Sequence, residues 1–406
     1  MRLTRAAVFA ISLACTTLAC TAHRAPQPVS SQAPPRSTAS APSPTATPGL
    51  TRTRIAEDDN LDFGPNAISF ISSTHGWALT PCAGTPQCGR LFETTDAGGQ
   101  WTALGRPDLP SAARLAVREG AVDLYFANAR NGYLFTSDHC ATDCLSLTRD
   151  GGRTWTVLPL PPVAQLFTVG ATSYAVTETA FGKPVGLLTT RVGSARWRRR
   201  ALPVDDGVVR LAVARATIAV LQTGSPYQDD TPSARGRIWV SEDGGLHWSA
   251  EQVPCHGDDG GAAALAMSAD DPSVLTVDCY DNEQSSQEQR TQHHIYRSSD
   301  AGQGWNQVAD PTDVGAPIAL VDNGAGHVVL ATGSGIRSLL VMSTDGGRRW
   351  RVALALPTVG FAWGNLRFVS RSTGFVLAPS HYAAEHIYRT TDGGRDWSTL
   401  PVPPSP

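Results

Sequence analysis

The sequence predicts an all-β chain folded as a single seven-bladed β-propeller, with four antiparallel strands in each blade. Three observations predict it. An eight-residue motif recurs in six clean copies, a degenerate seventh copy fills the one wide gap between them, and each copy closes the same succession of strand-like runs. Composition agrees: charged residues make up only 17%, while the chain holds 38 Gly and 29 Pro. That balance favours many short strands and turns over long helices.

The motif reads S/T-x-D-x-G-x-x-W. It spans Thr94–Trp101, Thr148–Trp155, Ser241–Trp248, Ser298–Trp305, Ser343–Trp350 and Thr390–Trp397, with its acids at Asp96, Asp150, Asp243, Asp300, Asp345 and Asp392. The seventh copy, Thr190–Trp197, keeps Trp197 and loses the acid. This pattern is the Asp-box. Its chemistry is that of a turn: the carboxylate accepts from backbone N–H groups of its own loop. The Gly supplies the positive φ of a tight hairpin. The Trp begins the next strand and lays a large apolar ring over the turn. The six acids are therefore expected to clamp hairpins and not to serve as catalytic acids. Trp101, Trp155, Trp197, Trp248, Trp305, Trp350 and Trp397 are expected to be structural as well.

The runs before and after each motif complete a blade. In the first unit they are 67–71, 76–80, 90–94 and 101–104; in the last they are 366–370, 374–378, 386–390 and 397–400. Four antiparallel strands are one propeller blade. A chain of 406 residues has room for two domains, but the seven units occupy it, and the propeller is placed at 61–403. Radial closure also hides sheet edges that would otherwise invite pairing.

The start of the chain reads as a targeting segment, 1–19. Arg2 and Arg5 precede an apolar run, Ala6 to Ala14, too short to span a bilayer. Thr17-Leu18-Ala19-Cys20 resembles a bacterial lipobox, which implies cleavage before Cys20 and diacylation of its sulfur, a stable two-chain anchor. The alternative is an ordinary signal peptide and a secreted chain. Residues 20–60, rich in Pro, Ser, Thr and Ala, read as an extended tether. The expected location is extracellular, with the membrane touched through the lipid anchor only.

With strands lettered a to d from the axis outward, the c–d and a–b turns share one face, and the b–c and d–a links share the other. Beyond Cys15 and Cys20, six cysteines remain, all on that second face. In an exported protein an even number suggests disulfides, and adjacency suggests Cys82–Cys88, Cys140–Cys144 and Cys255–Cys279. Neither short pair has C-x₂-C spacing, so no metal is expected there, and no cofactor. The longest insertions, 225–235, 280–292 and 380–385, fall on the same face. They offer Tyr227, Asp229, Asp230, Tyr280, Asp281, Glu283, His381, Tyr382 and Glu385 as candidate binding residues. Trp363 belongs near them, either as a ligand contact or in packing between blades. Arg196, Arg198, Arg199 and Arg200 around Trp197 form a basic rim, read as a solvated edge in preference to a docking site. His293-His294 lack a third metal ligand and are expected on a surface strand.

A Gly–aromatic pair on the second strand followed by an Asp-box, as in His75-Gly76-Trp77, Asn131-Gly132-Tyr133 and Thr373-Gly374-Phe375, resembles the photosystem II stability/assembly-factor-like propellers and the wider sialidase-like BNR/Asp-box superfamily. The resemblance covers residues 65 to 401. It implies the fold firmly and the function hardly at all. Two readings follow. One is a non-catalytic, monomeric cell-surface propeller that binds a protein or glycan partner through the cysteine-bearing face. The other is an exo-acting, sialidase-like glycoside hydrolase, for which the resemblance implies an arginine triad, a Tyr–Glu pair and an acid Asp. Inner-strand arginines exist at Arg210, Arg215 and Arg367, but no Arg-Ile-Pro motif opens the propeller, and typical sialidases have six blades. The net charge of −3 gives no case for nucleic acid.

Overall fold

The computed structural model describes residues 65–82, 85–107, 122–137, 140–178, 184–204, 208–223, 236–255, 261–285, 288–312, 314–333, 337–357, 363–378 and 386–403. All belong to the compact unit Asp58–Pro406. The targeting segment, Cys20 and the tether lie outside the described residues. So do Tyr227, Asp229, Asp230, His381, Tyr382 and Glu385, and the side chains of Cys82, Cys88, Asp281 and Glu283.

The strands form seven separate four-stranded antiparallel sheets, each made from consecutive strands. These blades cover 67–105, 123–158, 163–200, 208–252, 261–307, 316–356 and 364–400. The predicted fold is therefore the observed one. Among the described residues no strand from one end of the chain pairs with the other, and the contacts that close the ring between blades 7 and 1 run through side chains.

The core is not one cluster but seven, and each spans a single seam between neighbouring blades. The period-2 geometry of a strand explains this. On strand b of blade 1, Trp77 and Leu79 face blade 2, while Ala78 faces blade 7. Both faces of the strand are covered, so it reads as a continuous apolar run instead of an alternation.

The Gly–aromatic pair has a direct structural cause. Phe70 lies opposite Gly76, Phe126 opposite Gly132 and Phe368 opposite Gly374 across strands a and b. A Cβ on those glycines would come within 2.3, 2.6 and 2.8 Å of the rings. Only Gly lets the strand-a ring lie flat there. The aromatic residue that follows then reaches the next blade. Trp77 stacks on Phe126 with centroids 3.7 Å apart and gives its indole N–H to Gly151 O. Phe375 stacks on Phe70 at 3.7 Å across the closing seam.

The six aspartate turns repeat one hydrogen-bond scheme. In the first, Thr94 Oγ1 donates to Asp96 Oδ1 at 2.8 Å, and the Gly98 and Gln100 amides donate to Thr94 Oγ1 and Asp96 Oδ1. Such donors hold the carboxyl below its usual range; in Asp96 the Gln100 amide is the main cause. Partial burial opposes the shift in Asp150, yet Thr154 and its amide bring it to about 2. The turn tryptophans do more than cover their own loops. Trp101, Trp248, Trp305 and Trp350 donate their indole N–H to Pro401, Ala201, Gln252 and Ala309 O, each on the preceding blade. Trp155 and Trp397 donate instead to Gly152 and Gly394 O of their own turns. In the degenerate turn Thr190 Oγ1 donates to Arg196 O, and the buried Trp197 N–H has no acceptor.

Two expectations about loops need correction. Residues 280–292 are largely strand: strands b and c of blade 5 run Leu275–Ser285 and Glu288–Ser298 as one long hairpin. In blade 1, Cys82 ends strand b (Gly76–Cys82), and Cys88 sits within strand c (Thr85–Thr94), not in a loop. In both places the antiparallel ladder continues past the blade body.

Candidate functional site

The two faces of the ring are built differently. On the aspartate-turn face, the inner a–b turns of four blades are tied through Asp270. Its carboxylate accepts from Arg371 Nε and Nη2 at 3.1 and 2.8 Å and from the Ala325 amide at 2.9 Å. Its carbonyl accepts from Arg215 Nη2. Arg215 is therefore not a channel residue as its position suggested: it sits in a turn at φ 55 and ties blade 4 to blade 5. Sequence reasoning passed over Asp270, since an acid in a turn carries no signal of contacts 55 and 101 residues away.

The opposite face carries the described disulfides. Cys140–Cys144 closes the b–c link of blade 2, and Cys255–Cys279 joins the d–a link before blade 5 to strand b of that blade. Both pairings match the adjacency argument. The Cys82–Cys88 pairing falls on side chains outside the described residues. Disulfides belong with an exported chain in an oxidising compartment. Cys255–Cys279 closes 24 residues of sequence. Its replacement in a Cys255→Ser/Cys279→Ser variant should cost about 3 kcal/mol. Denaturant titration of the two proteins measures this, and coincident midpoints would show that the bridge constrains nothing.

The same face holds a buried pair that corrects the reading of His293. It is not on the surface. Its side chain and that of Asp278 are both 0% exposed, with His293 Nδ1 2.9 Å from Asp278 Oδ2. Its Nε2 lies 2.9 Å from Gly315 O, in the link to blade 6. The inward side of the extended hairpin buries it; alternation required one of the adjacent His293 and His294 to point in but did not say which. His294 points out to Asp310 at 3.2 Å. Among the described residues no group of three His, Cys, Asp or Glu side chains is placed to hold a metal.

Trp363 also resolves. It is 6% exposed, packs against Ala331, Leu340, Val376 and Tyr388, and donates its indole N–H to Thr332 O at 2.9 Å. This is packing between blades 6 and 7, at the edge of the central channel. Tyr280 is half-buried, its ring 5.2 Å from that of His293.

That channel holds a cavity of about 470 Å³, and strand-a residues of all seven blades line it. Most of the lining is apolar, including Ile68, Phe167, Ile318 and Leu366. Its polar groups are spread along strands a: Asp123 and Asn365 lie at the starts nearest the disulfide face, Arg210 two residues further in, and Tyr125 and Arg367 one residue from the a–b turns. Asp123 opens strand a of blade 2 and accepts from Asn365 Nδ2 at 3.3 Å. It touches the channel space yet lies deep among protein atoms, and burial raises its carboxyl pKa. Asn365 holds φ 52, and its Oδ1 accepts from the Ile68 amide, joining blades 7, 1 and 2. Arg367 stacks 4.1 Å from the Tyr125 ring centre and donates to Tyr125 Oη at 2.7 Å. Arg210 projects into the channel, and among the described residues its one hydrogen bond is a 3.4 Å contact to the adjacent Val209 O. Burial lowers its pKa, and the charge of Glu178 partly restores it. A guanidinium with most of its donors facing an apolar channel is set up to receive an anionic or hydroxyl-rich group.

No family model and no curated protein matches this chain. Solved structures do share its fold. YCF48 bound to D1 peptide is similar at 17% identity and a TM-score of 0.52, over 82% of this chain and 92% of that one. YCF48 from Cyanidioschyzon merolae is similar at 14% identity and 0.52, over 82% and 94%. A PL25 ulvan lyase bound to -[GlcA(1-4)Rha3S]- is similar at 11% identity and 0.51, over 83% and 96%. At these identities the likeness concerns the fold alone.

Proposed function

We propose that this chain is an exported, lipid-anchored propeller that binds a protein or glycan partner at the disulfide face, over the channel mouth, without turning it over. One observation carries the reading. The aspartate turns and the Asp270 network commit the other face to holding blades together, whereas the disulfide face combines pinned links, a protruding hairpin and an open channel with an underused guanidinium. Rigid links around a concave mouth keep the ordering cost of binding low. The fold is compatible with such a role, since similar propellers have been seen with a peptide and with an acidic saccharide.

Affinity capture from the native envelope, followed by titration of the captured partner, tests this. Arg210→Ala should weaken binding about 10- to 100-fold, the worth of a charge-assisted hydrogen bond, while leaving the thermal midpoint near that of the parent. Unchanged affinity in Arg210→Ala would remove the channel mouth from the site.

A second reading has a specific observation behind it. Asp123, Tyr125, Arg210 and Arg367 converge on one channel, and Asp123 has the raised pKa expected of a general acid. Turnover of an acidic polysaccharide that Asp123→Asn abolishes would replace the binding platform with an exo-acting glycan-cleaving enzyme.

A further inference from the structure

We infer that the arginine-rich rim of blade 3 docks the propeller on an anionic phospholipid surface. Residues 163–200 contain six basic residues and a single acid, Glu178, in a chain whose net charge is −3. Positive charge is thus concentrated on this blade. Strand d of that blade is Arg198–Arg200, an edge strand paired on its inner side only. Arg198 and Arg199 are exposed, as are Arg191 and Arg196 in the turn beside them. The patch continues onto blade 2, where Arg149 and Arg130 are exposed and Arg149 Nε donates to Gly193 O at 2.6 Å. Among the described residues, Arg130, Arg149, Arg191, Arg196 and Arg198 have no carboxylate within ion-pair distance.

Shape and neighbours choose the occupant. The patch lies on the convex rim and the aspartate-turn face, not in a groove, so it suits a broad plane of mobile charges better than a single inserted side chain. Leu246, 54% exposed, stands next to Gly245, which packs on Leu187 of blade 3, and offers an apolar contact at the flank. Guanidinium groups stay charged at any working pH, and each is worth about a fivefold gain in partitioning near an anionic leaflet. The inference rests on the anchored-lipoprotein reading for bringing the membrane close. The tether read at residues 20–60 would reach about 35 Å even as a random coil and further if extended, enough for either face to meet the surface, so charge decides the orientation. Docked through this rim, the aspartate-turn face tilts toward the bilayer, and the disulfide face stays open to a partner.

The test uses the chain from residue 21 onward, which retains every blade and carries no acyl chain. It should cosediment with phosphatidylglycerol–phosphatidylcholine vesicles at low salt and be released at high salt. An Arg191→Gln/Arg196→Gln/Arg198→Gln variant with an unchanged thermal midpoint should partition about 100-fold more weakly. Equal partitioning of parent and variant, equal binding to pure phosphatidylcholine, or recovery of an acidic protein on the patch without vesicle binding would each overturn the inference. The mass of the N-terminal peptide of the native chain shows separately whether Cys20 is acylated, so loss of the anchor reading is not confused with loss of docking.

Discussion

Replacing Asp278 with Asn should lower stability by about 3–5 kcal/mol and abolish most of its pH dependence above neutrality. Two acceptors face His293, the Asp278 carboxylate at Nδ1 and the Gly315 carbonyl at Nε2. A carbonyl can only accept, so Nε2 must carry a proton, and Nδ1 shares another with the carboxylate. The pair therefore holds one proton more than a neutral imidazole beside a carboxylate. Burial alone would lower the His293 pKa, but the hydrogen bond and charge of Asp278 raise it, helped by Gly315 and Asp310. Burial raises the Asp278 pKa, against the opposing pull of His293, with Asp310 and His294 as further charges nearby.

Both shifts are upward, so the native state holds protons that the unfolded chain has released. The stabilisation is fully present below the unfolded value of His, 6.5, and is lost as pH rises through the folded value. The limiting slope is about 1.4 kcal/mol per pH unit for one proton. Guanidinium unfolding at several pH values from 5 upward checks this: the parent should weaken above pH 6.5, and Asp278→Asn should start weaker and stay nearly flat. A parent whose stability is level across that range would show that the pair carries no extra proton. Because Gly315 precedes blade 6, loosening should appear at the blade 5–6 edge of the disulfide face first.

Phe375→Ala should cost about 3–5 kcal/mol and should open blades 1 and 7 ahead of the rest. The seam between them is held by the Phe70–Phe375 stack, by the Trp101 indole on Pro401 O at 3.0 Å and by Asn365 on the Ile68 amide. Among the described residues no strand is exchanged across it. Elsewhere consecutive blades are also joined through the chain, so a weakened contact there cannot separate them. At the closing seam the contacts among the described residues run through side chains. Hydrogen-exchange mass spectrometry should show faster exchange in 67–105 and 364–400 than in blades 3 to 5, and uniform acceleration around the ring would contradict a side-chain latch. Trp77→Phe, at a seam with chain continuity, serves as the comparison.

Much of the site's framework was legible from local pattern. The aspartate turns announced themselves because every group in them lies within eight residues, so their chemistry is written in a contiguous string. The same locality made Cys140–Cys144 readable. The channel was not legible in this way. Arg210 and Arg367 could be assigned to inner strands, but Asp123, Tyr125 and Asn365 had no local signature, because their partners lie up to 297 residues away. His293 and Trp363 were misjudged or left open for the same reason. Whether such a side chain is buried depends on the neighbouring blade, which alternation within one strand does not specify.

The sequence by itself determined the number of blades, their strand order, the turn chemistry of six of them and the face on which the cysteines lie, since repetition and period-2 geometry encode all of these. Only the tertiary structure decided that the core is seven seams, that four of the turn tryptophans donate across them, that Asp278 and His293 form a buried pair, and that Asp123, Tyr125, Asn365, Arg210 and Arg367 share one channel. Each of these depends on contacts between blades, and radial closure brings together residues that the chain keeps far apart.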